Sequence, residues 1–235
     1  MAEPAAKLFC GIFLGIFCHL GDQRLTDVDS HRIGEGQRVQ DKTPHNYLKR
    51  LPPEYYRGRT HVHWSLTMKN RSTGWLNPIF YHQFREILTH TAFRFGLSSP
   101  IYCCMPDHIH LLWIGILDDC DQKLAMRFFR IQVNRVLAST EVRLQNQPYD
   151  HVLREDEQNH AAFETIAEYI ARNPERKGLV PTDGYAKYPF TNCLVPGYPE
   201  LRPFEKGYWD KFWRIYSHLS KHGLHAAPDL GKLSS

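Results

Sequence analysis

Pro100-Ile-Tyr-Cys-Cys-Met-Pro-Asp-His-Ile-His-Leu-Leu-Trp-Ile-Gly-Ile116 is the stretch on which the fold turns. Pro106-Asp107 is turn chemistry and divides it into two apolar runs. The run from Pro100 to Met105 reads as one strand and the run from His108 to Ile116 as the next. The second run carries Leu112 and Ile114 on one face and Ile109, Leu111 and Trp113 on the other. A strand that is apolar on both faces is usually central in its sheet. Residues two apart on a strand point the same way, so His108 and His110 can reach one divalent ion.

The pattern extends outward on both sides. Upstream, the alternation of Val62, Trp64, Leu66 and Met68 predicts a strand beginning at His61. Asn77 and Pro78 are the cap and first position of a helix. Ile79, Phe80, Phe84, Ile87, Leu88, Thr91 and Phe95 form its stripe, and Gly96 ends it. Downstream, Asp118 and Asp119 precede a helix over about 122–137, which carries Arg127, Arg130 and Arg135 among Met126, Phe129, Val133 and Leu137. A short strand over 149–154 leads to a helix over 155–173, with Phe163, Ile166, Ala167 and Ile170 as its buried stripe and Pro174 as its stop. The order strand, helix, strand, strand, helix, strand, helix predicts an α+β fold. Its expected form is a ferredoxin-like (RRM-like) antiparallel sheet with helices on one side, plus an additional tyrosine-bearing helix.

The flanks divide the chain into an extension over 1–54, a domain over 55–180 and a C-terminal extension over 181–235. The apolar run Leu8 to Leu20 is too short for a membrane span and lacks a small-residue cleavage site, so neither a membrane anchor nor secretion is expected. Tyr208 to Tyr216 reads as a short amphipathic helix that packs on the domain, and the end from about Ala226 reads as disordered. A hydrophobic fraction of 42% excludes global disorder, and a net charge of +4 is compatible with nucleic acid without selecting it. Six cysteines without a CxxC pair read as reduced thiols in a cytoplasmic protein.

With 14 histidines, a chance His-x-His is common, and His61-Val62-His63 is a second copy of the same spelling. On the last predicted helix, Tyr169 and Asn173 are four apart and share a face. A tyrosine there can supply a nucleophilic phenolate. The Asn173 amide oxygen can join a metal shell, which suits Mg²⁺ or Mn²⁺. An amphipathic edge residue and a helix-end residue explain the same spacing. Zinc held by Cys103 or Cys104 with the histidines is a further option, weakened because adjacent strand residues face opposite ways.

Tyr102-Cys-Cys-Met-Pro-Asp-His-Ile-His-Leu-Leu-Trp113 resembles the HUH motif (His, hydrophobic, His) of single-tyrosine transposases. Tyr149-Asp-His-Val-Leu-Arg-Glu-Asp-Glu157 and Glu168-Tyr-Ile-Ala-Arg-Asn-Pro-Glu-Arg-Lys-Gly-Leu-Val180 are similar to the tyrosine-helix region of that group, in particular its REP-associated branch. The resemblance spans roughly residues 55–180 and implies a metal-dependent single-stranded DNA endonuclease and strand transferase acting at hairpin-forming or palindromic DNA. It implies that His108 and His110 hold Mg²⁺ or Mn²⁺ with Asn173 as third ligand, and that Tyr169 forms a 5′-phosphotyrosine. A free phenol has a pKa near 10, so the tyrosine needs a cationic or metal neighbour, for which Arg172 and Lys177 are candidates. Arg127, Arg130, Arg135, Arg172 and Lys177 become candidate DNA contacts. The implied partner is single-stranded or hairpin DNA, and a homodimer is left open. The alternative is a noncatalytic nucleic-acid-binding module that retains the fold. His61 and His63 read as sheet residues, although the first strand neighbours the third and one of them could sit near the metal.

Overall fold

The computed structural model describes residues 50–225. Its strands are β1 (His61–Thr67), β2 (Leu97–Met105), β3 (His108–Gly115), β4 (Tyr149–Val152) and β5 (Thr191–Leu194). They form one sheet in the order β4-β1-β3-β2-β5, with every neighbouring pair antiparallel. The helices are α1 (Pro78–Phe95), α2 (Gln122–Leu137), α3 (His160–Ala171), the single turn α4 (Asn173–Arg176) and α5 (Tyr208–His222). The fold is α+β and the first four strands take the ferredoxin-like order. β3 is central and all eight of its residues are buried, as its two apolar faces require.

The sheet separates two cores. On one side, α1 and α2 cover Trp64, Leu66, Tyr102, Leu111 and Trp113 with Phe84, Leu88, Phe129 and Val133. Trp113 meets Phe129 edge-on at 5.7 Å, and Phe129 meets Phe84 likewise at 5.7 Å. Such pairs contribute about 0.5–1.5 kcal/mol each beyond the area they bury. On the other side, α3 and α5 cover Ile101, Cys103, Met105, Leu112 and Ile114 with Phe163, Ala167, Ile170, Phe212 and Ile215. The two crossover helices thus lie on one face and the tyrosine-bearing helix on the opposite one, joined there by α5.

Helix ends follow local chemistry. The Asn77 side chain accepts from the Phe80 N–H at 2.9 Å, and Gly96 closes α1 at φ 65°. Elsewhere the elements differ from the sequence expectation. β2 begins three residues before Pro100, because a register shift between Ser98 and Ile101 leaves room for a residue without an N–H. The helix expected over 155–173 is divided into a 3₁₀ turn at Glu155–Glu157, then α3, then α4. The second break falls at Arg172 (φ −81°, ψ 1°), and Pro174 enters the first turn of α4, where its missing N–H costs nothing. β5 was not expected, and α5 extends to His222 rather than Tyr216. The Leu8–Leu20 run, most of the leader and the end from Ala226 lie outside the described residues. Among the described residues no helix is long and apolar enough to cross a membrane.

Candidate functional site

In the β1–β3 register, Thr67 opposes His108, Ser65 opposes His110 and His63 opposes Leu112. Directly opposed residues share a face. His61, His63, Ser65 and Thr67 therefore lie on the same side of the sheet as His108 and His110, away from the tryptophan core. The His63 ring comes into contact with the pair: its Nε2 is 3.0 Å from His110 Nδ1. The Nε2 atoms of His108 and His110 lie 3.0 Å from each other. His108 Nδ1 is 2.6 Å from Asp107 Oδ1, and Asp107 Oδ2 accepts from Arg71 at 3.0 Å. On β4, His151 is the register partner of His63 and bonds Glu157 at 3.0 Å.

Burial dominates the electrostatics here. It lowers His110 to about 2, helped by His63 and His108, and lowers His63 to about 4, helped by His151. Both rings are neutral at physiological pH, the form in which imidazole binds metal. Burial pushes Asp107 up, but the hydrogen bond from His108 and the Arg71 guanidinium outweigh it and hold the carboxyl below its usual value.

The Nε2 separation allows a test of whether a metal fits. Two imidazole nitrogens on one ion, at roughly 2.1 Å and about 90–110° apart, lie about 3.0–3.4 Å from each other. The 3.0 Å between His108 and His110 meets that geometry. The outer nitrogen of each ring is also engaged, by Asp107 and by His63, as in metal-bound histidines. Among the described residues no group of three or more His, Cys, Asp or Glu side chains is placed to hold an ion together. The protein thus offers a two-nitrogen edge, not a closed cage.

Tyr169 lies on α3, whose buried residues pack on the histidine-bearing face of β2 and β3. The residue is 47% exposed, accessible to a large substrate. The guanidinium of Arg176 lies over that ring, 4.0 Å from its centroid. Arg176 was not anticipated, because the break at Arg172 redirects the chain that carries it. Asn173 is buried and its Nδ2 donates to the carbonyls of Tyr169 and Ile170 at 3.0 and 3.1 Å, closing the end of α3. The expected Tyr169–Asn173 face thus spans a helix junction.

Arg172 pairs with Glu168 at 2.8 Å, Glu175 at 3.0 Å and Asp183 at 3.1 Å, and stacks on Tyr185 at 4.3 Å. Its bonds to Glu168 and Asp183 raise its pKa further. Its charge is therefore spent within the protein, whereas Lys177 is exposed. Arg127, Arg130 and Arg135 ride on α2, across the sheet from the histidines. Arg130 donates to the Gln145 carbonyl and Arg135 to Gln132 at 3.3 Å, while Arg127 is exposed. The zinc option finds no support: Cys104 faces the tryptophan core, and burial pushes the Cys103 thiol up to about 12, where it contacts Thr191. A groove of about 450 Å³ runs beside α3 between Glu164, Glu168, Tyr185 and Phe204. Its two carboxylates make it a poor seat for a phosphate backbone.

No known family's sequence profile matches the chain, and no curated protein is similar to it. Among solved structures, a REP-associated tyrosine transposase bound to a REP hairpin superposes with a TM-score of 0.51 at 19% identity, covering 62% of this chain and 81% of that one. The likeness is one of fold. A bacterial tRNA(His) guanylyltransferase-like protein in complex with ATP reaches a TM-score of 0.33 at 15% identity over 51% of this chain and 63% of its own, too little to argue from.

Proposed function

We propose that this chain is a metal-dependent single-stranded DNA endonuclease and strand transferase that cuts hairpin-forming DNA through a phosphotyrosine intermediate. The observation that carries this reading is the 3.0 Å convergence of His108 Nε2 and His110 Nε2 on the sheet face covered by α3, the helix that carries Tyr169. The shared fold with a hairpin-bound tyrosine transposase supports it.

In this reading the deprotonated Oη of Tyr169 attacks the scissile phosphorus. The Oη–P bond forms as the bond to the 3′ oxygen breaks, and that oxygen takes a proton from water. The 5′ phosphate stays on Tyr169. An incoming 3′-OH reverses the step, so joining needs no outside energy source. A divalent ion, when bound, supplies positive charge against a phosphate oxygen. His108 and His110 would hold it, and Asn173 Oδ1 is the proposed third donor. Two imidazole donors favour Mn²⁺ over Mg²⁺. Arg176 sets a cation against the tyrosine, and Lys177 is the nearby candidate for the DNA backbone.

The test is incubation with hairpin DNA bearing single-stranded arms and Mn²⁺, followed by a denaturing gel. A covalent protein–DNA adduct is expected, abolished by EDTA, by Tyr169→Phe and by His108→Ala, with hairpin binding retained in the tyrosine variant. Binding without any adduct would replace this reading with a noncatalytic nucleic-acid-binding module. Loss of both would overturn it.

A further inference from the structure

His63, Ser65 and Thr67 all face the histidine pair from β1, yet only the His63 ring is placed to bond it, through Nε2 at 3.0 Å from His110 Nδ1. The contacts form a chain across two strands: His63, His110, His108, Asp107. Its polarity follows from its acceptor end. The Asp107 carboxylate can only accept, so His108 donates from Nδ1 and, as a neutral ring, keeps a lone pair on Nε2. Across the 3.0 Å contact a neutral His108 accepts from the Nε2–H of His110, which leaves His110 Nδ1 to accept from the Nε2–H of His63.

In that tautomer His110 Nε2 carries a proton where an ion needs a lone pair. Binding at both Nε2 atoms requires the His110 proton to sit on Nδ1 instead. That nitrogen then donates, so His63 Nε2 must accept and the His63 proton must sit on its own Nδ1. Each ring loses one N–H proton and regains one through water, with no net release. We propose that His63 is the positioning residue of this centre, holding the His110 ring by one bond in both states and exchanging donor for acceptor as an ion enters. The proposal rests on the reading of His108 and His110 as metal ligands. Only a side chain able both to donate and to accept from one place can serve. Imidazole does so by tautomerism and an amide by flipping, whereas a hydrocarbon ring or a lysine cannot.

The experiment is long-range ¹H–¹⁵N correlation NMR on histidine-labelled protein, without metal and with Zn²⁺ as a diamagnetic probe. Without metal, His63 and His110 are expected as Nε2–H tautomers and His108 as Nδ1–H. With Zn²⁺, all three are expected as Nδ1–H. In parallel, Zn²⁺ and Mn²⁺ titrations should show His63→Phe binding roughly 10–100-fold more weakly, the usual consequence of losing a ligand's outer partner, with His63→Gln recovering most of the loss. Unchanged affinity in folded His63→Phe, or a His63 tautomer that stays fixed as Zn²⁺ binds His110, would overturn this proposal alone. No uptake of either metal by the native protein would overturn the reading beneath it, and this proposal with it.

Discussion

Arg172 and Arg176 carry the same charge one turn apart, but their surroundings assign them different tasks. Arg172 is held by three carboxylates and a tyrosine ring, while Arg176 lies over Tyr169. Arg176→Ala is expected to slow adduct formation ~2- to 30-fold, the range a cation over an aromatic ring contributes, with the melting temperature unchanged. An unaltered rate on hairpin DNA in Mn²⁺ would remove the arginine from the site. A second single-residue test concerns Gly115, where a built Cβ would lie 1.9 Å from the Gly58 carbonyl oxygen. Both partners are backbone, so no side chain can yield. Gly115→Ala should lower stability by about 1–3 kcal/mol or more, read from the urea midpoint. At this scale the sequence was only partly legible. His108, His110 and Tyr169 became candidates through the resemblance of their motifs; spacing puts the histidines on one face and the tyrosine on a helix, but ordinary structural residues explain that spacing equally. His63 could not be separated from His61, since both belong to one His-x-His. The register that sets His63 against Leu112 is a tertiary fact.

Among the elements, α1 was the most legible, because cap, proline and terminal glycine act on their immediate neighbours. Asn77→Ala removes the bond to the Phe80 N–H and is expected to cost about 1 kcal/mol with an unchanged denaturant slope. β3 was legible for a related reason: two apolar faces have few places to go other than the centre of a sheet. β5 was not, since Thr191–Leu194 is four residues long and has no clear alternation. Its strand character comes from the edge of β2 that it covers. The division at Arg172 was equally hidden. Pro174 signals a stop, but a further helical turn begins at Asn173, beside an arginine that reaches Asp183 eleven residues on.

For the molecule as a whole, the sheet is a partition with an aromatic core on one side and the candidate chemistry on the other. Residues beyond 180 belong to the second side through Tyr188, Val195, Tyr208, Phe212 and Ile215. A chain ending at 180 should therefore bind hydrophobic dye and lose cooperative melting. The same side carries an acid-sensitive residue. Burial lowers His61 to about 4, against 6.5 when exposed, and its hydrogen bond to Gln158 only partly opposes this. Between those values the unfolded chain binds the extra proton, so stability falls as pH drops through the window, by up to roughly 3 kcal/mol. His61→Gln should make that part of the melting-temperature profile shallower, with His63 and His110 still contributing to it, and a profile as steep as the native one would refute the assignment. The Arg172 clamp adds a dependence of another kind. Its partners Asp183 and Glu168 are 78% and 55% exposed, so the joint beneath Tyr169 is fastened by charges that salt can screen. The screening length shrinks from about 10 Å at 0.1 M to about 3 Å at 1 M. Amide exchange over 169–178 should accelerate as salt is added, while the central strands stay protected. Ionic strength would then tune how firmly the nucleophile is mounted without touching the rest of the molecule.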